Sequence, residues 1–414
     1  MSSTGDDQTH ASYEPRLARR AERMRASEIR ELLKLLEQPD IISFAGGIPD
    51  PALFPADAAG QAFSELLSTQ AAAALQYSVS EGYGPLRTWI AAHMTGLGAP
   101  CTPDNILVTA GSQQALDFLG KLLLSPGDTA LVTAPTYLGA LQAFSAYEPN
   151  YDHIRPEDGN ETPASYRARA VAAGGPEATV KFAYVVPDFA NPTGLTLDRP
   201  AREKLLRLAR ELDIPVIEDS AYAPLRYGGT DVPPVLALDI AATGSIEASR
   251  VIYCGTFSKT MAPGLRIGWI AANAALIRRL VLVKQASDLN VSVINQMVME
   301  RLVRQTYEEQ VRRARSRYRA RRDAMLAALE AHMPAGVSWT RPEGGLFVWV
   351  MLPEGIDGAE LLRRAVTEVR VAFVPGGAFF ADRSQANTIR LSFSLADEAT
   401  IGEGIRRLAG LIRD

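Results

Sequence analysis

Val251-Ile252-Tyr253-Cys254-Gly255-Thr256-Phe257-Ser258-Lys259-Thr260 decides how the rest of the chain is read. Its first half is an uncharged, β-branched and aromatic run, the composition of a strand buried on both faces, and it delivers a lysine flanked by hydroxyl residues just past its carboxyl end. Short apolar runs recur at Ile106-Leu107-Val108-Thr109, Ala130-Leu131-Val132, Phe182-Ala183-Tyr184-Val185-Val186, Pro215-Val216-Ile217 and Ile267-Gly268-Trp269-Ile270. Helical patterns such as Arg199 to Leu212 separate them. This alternation predicts an α/β fold with a mostly parallel sheet flanked by helices, whose ligands bind beyond the carboxyl ends of the strands.

At 414 residues and 47% hydrophobic, the chain exceeds the size at which one core keeps growing, so two domains are expected. After a proline-free helical pattern from about Asn295 to Leu329, the texture changes to Leu346-Phe347-Val348-Trp349-Val350, a helix from Ala359, and Thr388-Ile389-Arg390-Leu391-Ser392-Phe393. That mixture predicts a smaller α+β domain. Near the start, Ile29, Leu32, Leu33 and Leu36 form the apolar face of a short helix that Pro39 ends. The expected division is a flexible arm over 1–26, a helix and segment packing on the small domain and cleft over 27–60, a large domain over 61–300 and a small one over 301–414.

Charge is nearly balanced, 43 basic against 47 acidic residues, so no field favours nucleic acid or an anionic membrane, and a small-molecule partner is expected. The two cysteines, Cys101 and Cys254, fit a reducing cytoplasm. No apolar stretch reaches the length of a membrane span, and the start lacks a signal-peptide pattern. The Arg-rich segment Arg16 to Arg25 has a transit-peptide flavour, but Asp6, Asp7, Glu14 and Glu22 oppose it, and it reads as a solvated arm. His10, His93, His153 and His332 are scattered without metal-ligand spacing and read as surface residues, and no G-x-S-x-G occurs.

Several strand ends carry chemistry. Lys259 is placed where a desolvated amine can hold an aldehyde, although loop lysines are ordinarily solvated; a phosphate-loop reading fails because Ser258 stands where the glycine should be. Asp219, ending Pro215-Val216-Ile217-Glu218, suits either an ion pair with a protonated ring nitrogen or the cap of a turn. Asn191-Pro192-Thr193-Gly194 is a turn whose asparagine amide follows a buried strand. Thr109-Ala110-Gly111-Ser112-Gln113 runs from strand into helix, which makes either an anion site at the helix start or a plain serine N-cap. Arg390 interrupts an apolar strand and needs an anion, either a substrate carboxylate or a structural partner.

Taken in order, Ser112-Gln113, Asn191-Pro192-Thr193-Gly194, Asp219 with Tyr222, Ser258-Lys259, Arg266 and Arg390 resemble the class I/II aminotransferases of fold type I, from about residue 27 onward. The resemblance implies pyridoxal 5′-phosphate as cofactor, bound by Lys259 as a Schiff base. Asp219 would pair with the pyridine nitrogen, Asn191 and Tyr222 would hydrogen-bond the ring oxygen, and Tyr137 would stack on the ring. Ser112, Gln113, Thr256, Ser258 and Arg266 would hold the phosphate. Tyr77 would reach the neighbouring subunit's site, which implies a homodimer, and Arg390 would bind the substrate α-carboxylate. Ser27-Glu28-Ile29-Arg30 and Ile42-Ser43-Phe44-Ala45-Gly46-Gly47-Ile48-Pro49 are similar to the branch of 2-aminoadipate, kynurenine and broad-range aromatic or branched-chain aminotransferases, in which Arg30 and Gly47 would face substrate. Ala190, where many relatives carry glutamine, departs from the pattern and bears on the substrate. The expected reaction is transfer of an amino group from an L-amino acid to a 2-oxo acid, with 2-oxoglutarate as acceptor, by a ping-pong route. The same fold also hosts lyases and decarboxylases. A non-catalytic regulator would need a winged helix, for which about 25 residues before Ser27 are too few.

Overall fold

The computed structural model describes residues 16–24, 40–157 and 159–413. Seven strands build the main sheet: β1 (Ile106–Thr109), β2 (Thr129–Val132), β3 (Asn150–His153), β4 (Val180–Val185), β5 (Val216–Asp219), β6 (Val251–Thr256) and β7 (Gly268–Ala271), in the order β1-β7-β6-β5-β4-β2-β3. Only β7 runs antiparallel to its neighbours. The carboxyl ends of β1, β4, β5 and β6 therefore point the same way. Alternate residues of one strand feed two separate cores: Phe182 and Tyr184 enter one, Ala183 and Val185 the other. Burial on both faces is what the unbroken apolar runs predict. The edge strand β3, half-buried and reading Asn-Tyr-Asp-His, had no such run to mark it.

Helices pack on both faces. Among them are α1 (Ser112–Leu123), α2 (Ala274–Gln285), which Asn273 caps by accepting from Leu276 N–H, and α3 (Val293–His332), 40 residues long. The helix Arg199–Leu212 is capped by Asp198, which accepts from Ala201 N–H. Beyond α3, β8 (Ser338–Trp339), β9 (Phe347–Met351), β10 (Val374–Pro375) and β11 (Thr388–Ser392) form an antiparallel sheet in the order β10-β11-β9-β8.

Residues 42–50 are stitched onto this second sheet. Ser392 N–H donates to Phe44 O at 2.8 Å, the Ser394 hydroxyl donates to Ile48 O at 2.7 Å, and Asp50 pairs with buried Arg321 of α3 at 2.8 Å. The helix expected over residues 29–36, with Arg30, lies outside the described residues. His93 corrects the expectation of a surface histidine: its ring stacks on Trp89 at 5.1 Å and meets Tyr307 edge-on. Burial lowers its pKa to about 4, so it is neutral there.

Candidate active site

A cleft of about 260 Å3 opens beyond the carboxyl ends of β1, β4, β5 and β6, and residues 46–48, Phe347 and Arg390 close it from the small-sheet side. Lys259 sits in the turn after β6, where its Nζ donates to Gly47 O at 3.0 Å. Burial lowers its pKa to about 8, helped by Arg390 and then Arg266 and opposed by Asp219. Gly47 has no room for a side chain, since a Cβ there would lie 2.4 Å from Phe347 Cζ.

Asp219 ends β5 and is 3% exposed. Its Oδ2 accepts from the Tyr184 hydroxyl of neighbouring β4 at 2.8 Å, while its Oδ1 has no partner. Burial raises its pKa to about 6 against the hydrogen bonds from Tyr184 and the Ala221 backbone and the charge of Lys259. The carboxylate thus binds the neighbouring strand through one oxygen and presents the other free. Tyr222 and Tyr137 line the same wall, and burial pushes the Tyr137 hydroxyl up to about 12, so both phenols stay protonated at neutral pH.

Arg390 lies on β11 at 1% exposure. It donates to Asn191 Oδ1 at 2.7 Å and Ala45 O at 2.6 Å, and its guanidinium lies 4.2 Å from the Phe347 ring centroid. Nε has no partner, and no carboxylate pairs with Arg390 among the described residues. Among the described residues the structural ion-pair alternative therefore finds no partner. Burial lowers its pKa to about 10, so the group remains a cation.

At the other end, Gly111 (φ 81°) is the N-cap of α1, which makes Ser112 the first helical residue and corrects the serine-cap reading. No side chain caps this helix, so its first N–H groups are available to an anion. A Cβ on Gly111 would stand 2.3 Å from Arg266 Nη2, which donates to Ala110 O at 3.1 Å. Thr256 and Ser258 line this end, hydroxyl to hydroxyl at 2.9 Å, and the Gln113 amide donates to Gly139 O at 2.7 Å. Tyr77 does not line this cleft; it is 79% exposed.

Tyr184 and Phe347 were not singled out in the sequence, because both sit in apolar runs that read as core. The hydroxyl of Tyr184 was the available signal, since a buried phenol needs a partner. A larger cavity, about 420 Å3, lies between α3 and the 223–234 segment, but none of the expected site residues lines it. No metal-binding cluster and no helix long and apolar enough to cross a membrane occur among the described residues.

A lysine poised to lose its proton, a free carboxylate oxygen, an unpaired buried guanidinium and an uncapped helix start share one cleft at the ends of parallel strands. A family model described as aminotransferase class I and II matches residues 39–408, and the chain belongs to that family. It is 45% identical over 404 residues to aromatic-amino-acid aminotransferase 1 of Thermococcus litoralis, covering 97% of this chain and 95% of the relative. It is 41% identical over 402 residues to the 2-aminoadipate transaminase of Thermus thermophilus, covering 97% and 98%. The crystal structure of a Pyrococcus horikoshii kynurenine aminotransferase, in complex with PMP, KYN and KYA, matches with a TM-score of 0.87 at 45% identity over 97% of each chain. The protein is an aminotransferase, and its cofactor is pyridoxal phosphate.

Proposed function

We propose that the cleft holds pyridoxal phosphate with Lys259 at its aldehyde, and that it moves amino groups from L-amino acids of the aromatic, 2-aminoadipate or branched-chain type to 2-oxoglutarate in two half-reactions at one site. The observation that carries this reading is the convergence of Lys259 Nζ, the orphaned Asp219 Oδ1 and the carboxylate-free Arg390 on one cleft. The residues fit the group: among the described residues Asp219 keeps a free oxygen, no carboxylate pairs with Lys259, and no side chain caps α1. The names of the relatives support the aromatic and 2-aminoadipate classes.

Bound pyridoxal phosphate supplies an aldehyde that links to amines and a ring that withdraws electrons from the substrate's Cα. Lys259 Nζ takes the proton from Cα. Its lowered pKa leaves a neutral fraction near pH 7, and Gly47 O holds the amine. Asp219 holds a proton at the ring nitrogen, and the Tyr184 hydroxyl keeps that carboxylate charged. Asn191 and Tyr222 serve the ring oxygen, and Tyr137 stacks on the ring. Ser112, Gln113, Thr256, Ser258 and Arg266 hold the phosphate. Arg390 grips the α-carboxylate, and Arg30 serves a distal carboxylate.

The unit around the large sheet (61–300) and the C-terminal unit (301–414) form the two walls. The exposed trio Leu75 (69%), Tyr77 (79%) and Val79 (59%) supports a homodimer in which Tyr77 enters the partner's site. The free thiols of Cys101 and Cys254 suit the cytoplasm.

Lys259→Ala is expected to remove both the visible absorbance of the lysine-linked cofactor and turnover, and a variant with near-normal transamination refutes the assignment. A screen of amino donors against 2-oxoglutarate, repeated with Arg30→Ala, tests the substrate class: dicarboxylates left untouched by that change refute the role of Arg30.

A further inference from the structure

The turn that carries the uncapped start of α1 is held from behind by a chain of polar groups that does not line the cleft. Ala110 N–H donates to Gln114 Oε1 at 2.8 Å, Gln114 Nε2 donates to Asp288 Oδ2 at 2.8 Å, and Asp288 Oδ1 lies 3.5 Å from Lys284 Nζ. The Lys284 side chain is 0% exposed, against 31% for Asp288, and its Nζ stands 5.9 Å from the ring centroid of Phe118, one turn beyond Gln114 on α1. Ala110 is therefore gripped twice, at its N–H by Gln114 and at its carbonyl by Arg266.

A glutamine amide fits equally well in either of two flipped orientations unless its partners choose between them. A carboxylate only accepts, so Asp288 turns the Gln114 NH2 toward itself and the Gln114 oxygen toward Ala110 N–H. Flipped, the amide would set donor against donor. A buried ammonium is costly without a counter-charge, so the buried Lys284 attracts the Asp288 carboxylate, which is 31% exposed, toward the Gln114 amide.

We propose that Lys284, Asp288 and Gln114 are positioning residues for the cofactor's phosphate, acting through the Ala110–Gly111 turn to aim Arg266 and the free N–H groups of α1. This rests on the reading of that turn as the phosphate site.

The test titrates the full-length protein, freed of cofactor, with pyridoxal 5′-phosphate, with pyridoxal, and with inorganic phosphate as competitor. In Gln114→Leu and Asp288→Ala the Kd for pyridoxal 5′-phosphate should rise about three- to thirtyfold, the loss of one hydrogen bond to a polar or charged group. The Kd for pyridoxal should stay within about a factor of two, and inorganic phosphate should weaken in parallel. Asp288→Asn keeps an acceptor and should recover part of the loss. Combining Gln114→Leu with Asp288→Ala should add little to Gln114→Leu alone, because the two act in series. Loosened packing alone would weaken pyridoxal and its phosphate together, and that result overturns the proposal. Arg266→Ala separates the two readings. If it abolishes the preference for the phosphorylated ligand while Gln114→Leu and Asp288→Ala leave it intact, the relay is wrong. If Arg266→Ala also leaves it intact, the phosphate site itself is misplaced.

Discussion

Arg390→Lys isolates what a planar fork does in this cleft. A guanidinium has five N–H donors; two are spent on Asn191 Oδ1 and Ala45 O, which pin the plane over Phe347. Three remain, enough to hold a carboxylate with two parallel bonds. Lysine keeps the charge but offers a point donor that must also serve Asn191 and Ala45, so one of the two substrate bonds is lost. A hydrogen bond to a charged group contributes about 1.5–3 kcal/mol, which predicts a fall of about 10- to 150-fold in kcat/KM for amino acids. The assay compares an amino acid with its decarboxylated amine, for example phenylalanine with 2-phenylethylamine, in single-turnover conversion of the holoenzyme. Any disturbance of Asn191 or of the segment at Ala45 affects both substrates, so only the difference reports on the carboxylate. The amine should change by less than about threefold once that common factor is removed. Equal losses for both substrates, or no loss for the amino acid, refute the assignment of Arg390 to the α-carboxylate.

Tyr184→Phe removes the hydroxyl that keeps Asp219 ionised, and its pKa should rise from about 6 by about one to two units, moving the acid limb of the pH–rate profile to higher pH by a similar amount. An unmoved limb refutes that pairing. For Lys259 the folded pKa of about 8 lies below the ordinary lysine value, so the neutral amine dominates above pH 8 and is lost as pH falls through it. Capture of pyridoxal phosphate by the cofactor-free protein should slow about tenfold per pH unit below that point. Arg390→Gln, by removing a like charge, should shift the break upward; a break that stays in place contradicts the contribution of Arg390, though not that of burial. Gly47→Ala forces the Phe347 ring away from its 2.4 Å approach, and thermal melts should show a loss of about 1–3 kcal/mol together with weakened amino-acid binding. An unchanged melt shows that the ring gives way freely.

How much was legible follows the range of the interaction. Strands β1, β2, β4, β5, β6 and β7 were visible because a strand buried on both faces is apolar along most of its length, and that constraint acts residue by residue. The half-polar β3 escaped for the same reason. The chemical residues were visible because strand ends are where a buried run must stop, and Asp219 and Lys259 stand there, with Asn191 in the turn just beyond Val185.

The sequence by itself therefore determined the layered α/β class, the family and most of the residues that line the cleft, all properties carried by local pattern and order along the chain. Tertiary structure alone decided who holds whom: Tyr184 on Asp219, Asn191 on Arg390 across 199 residues, Gly47 on Lys259 across 212, and Asp288 behind Gln114 across 174. Such partners are set by strand order and by the return of residues 42–50 onto the second sheet, which no periodicity encodes. They also decide the electrostatics, since Lys259 owes its lowered pKa first to burial and next to Arg390, 131 positions away in the chain.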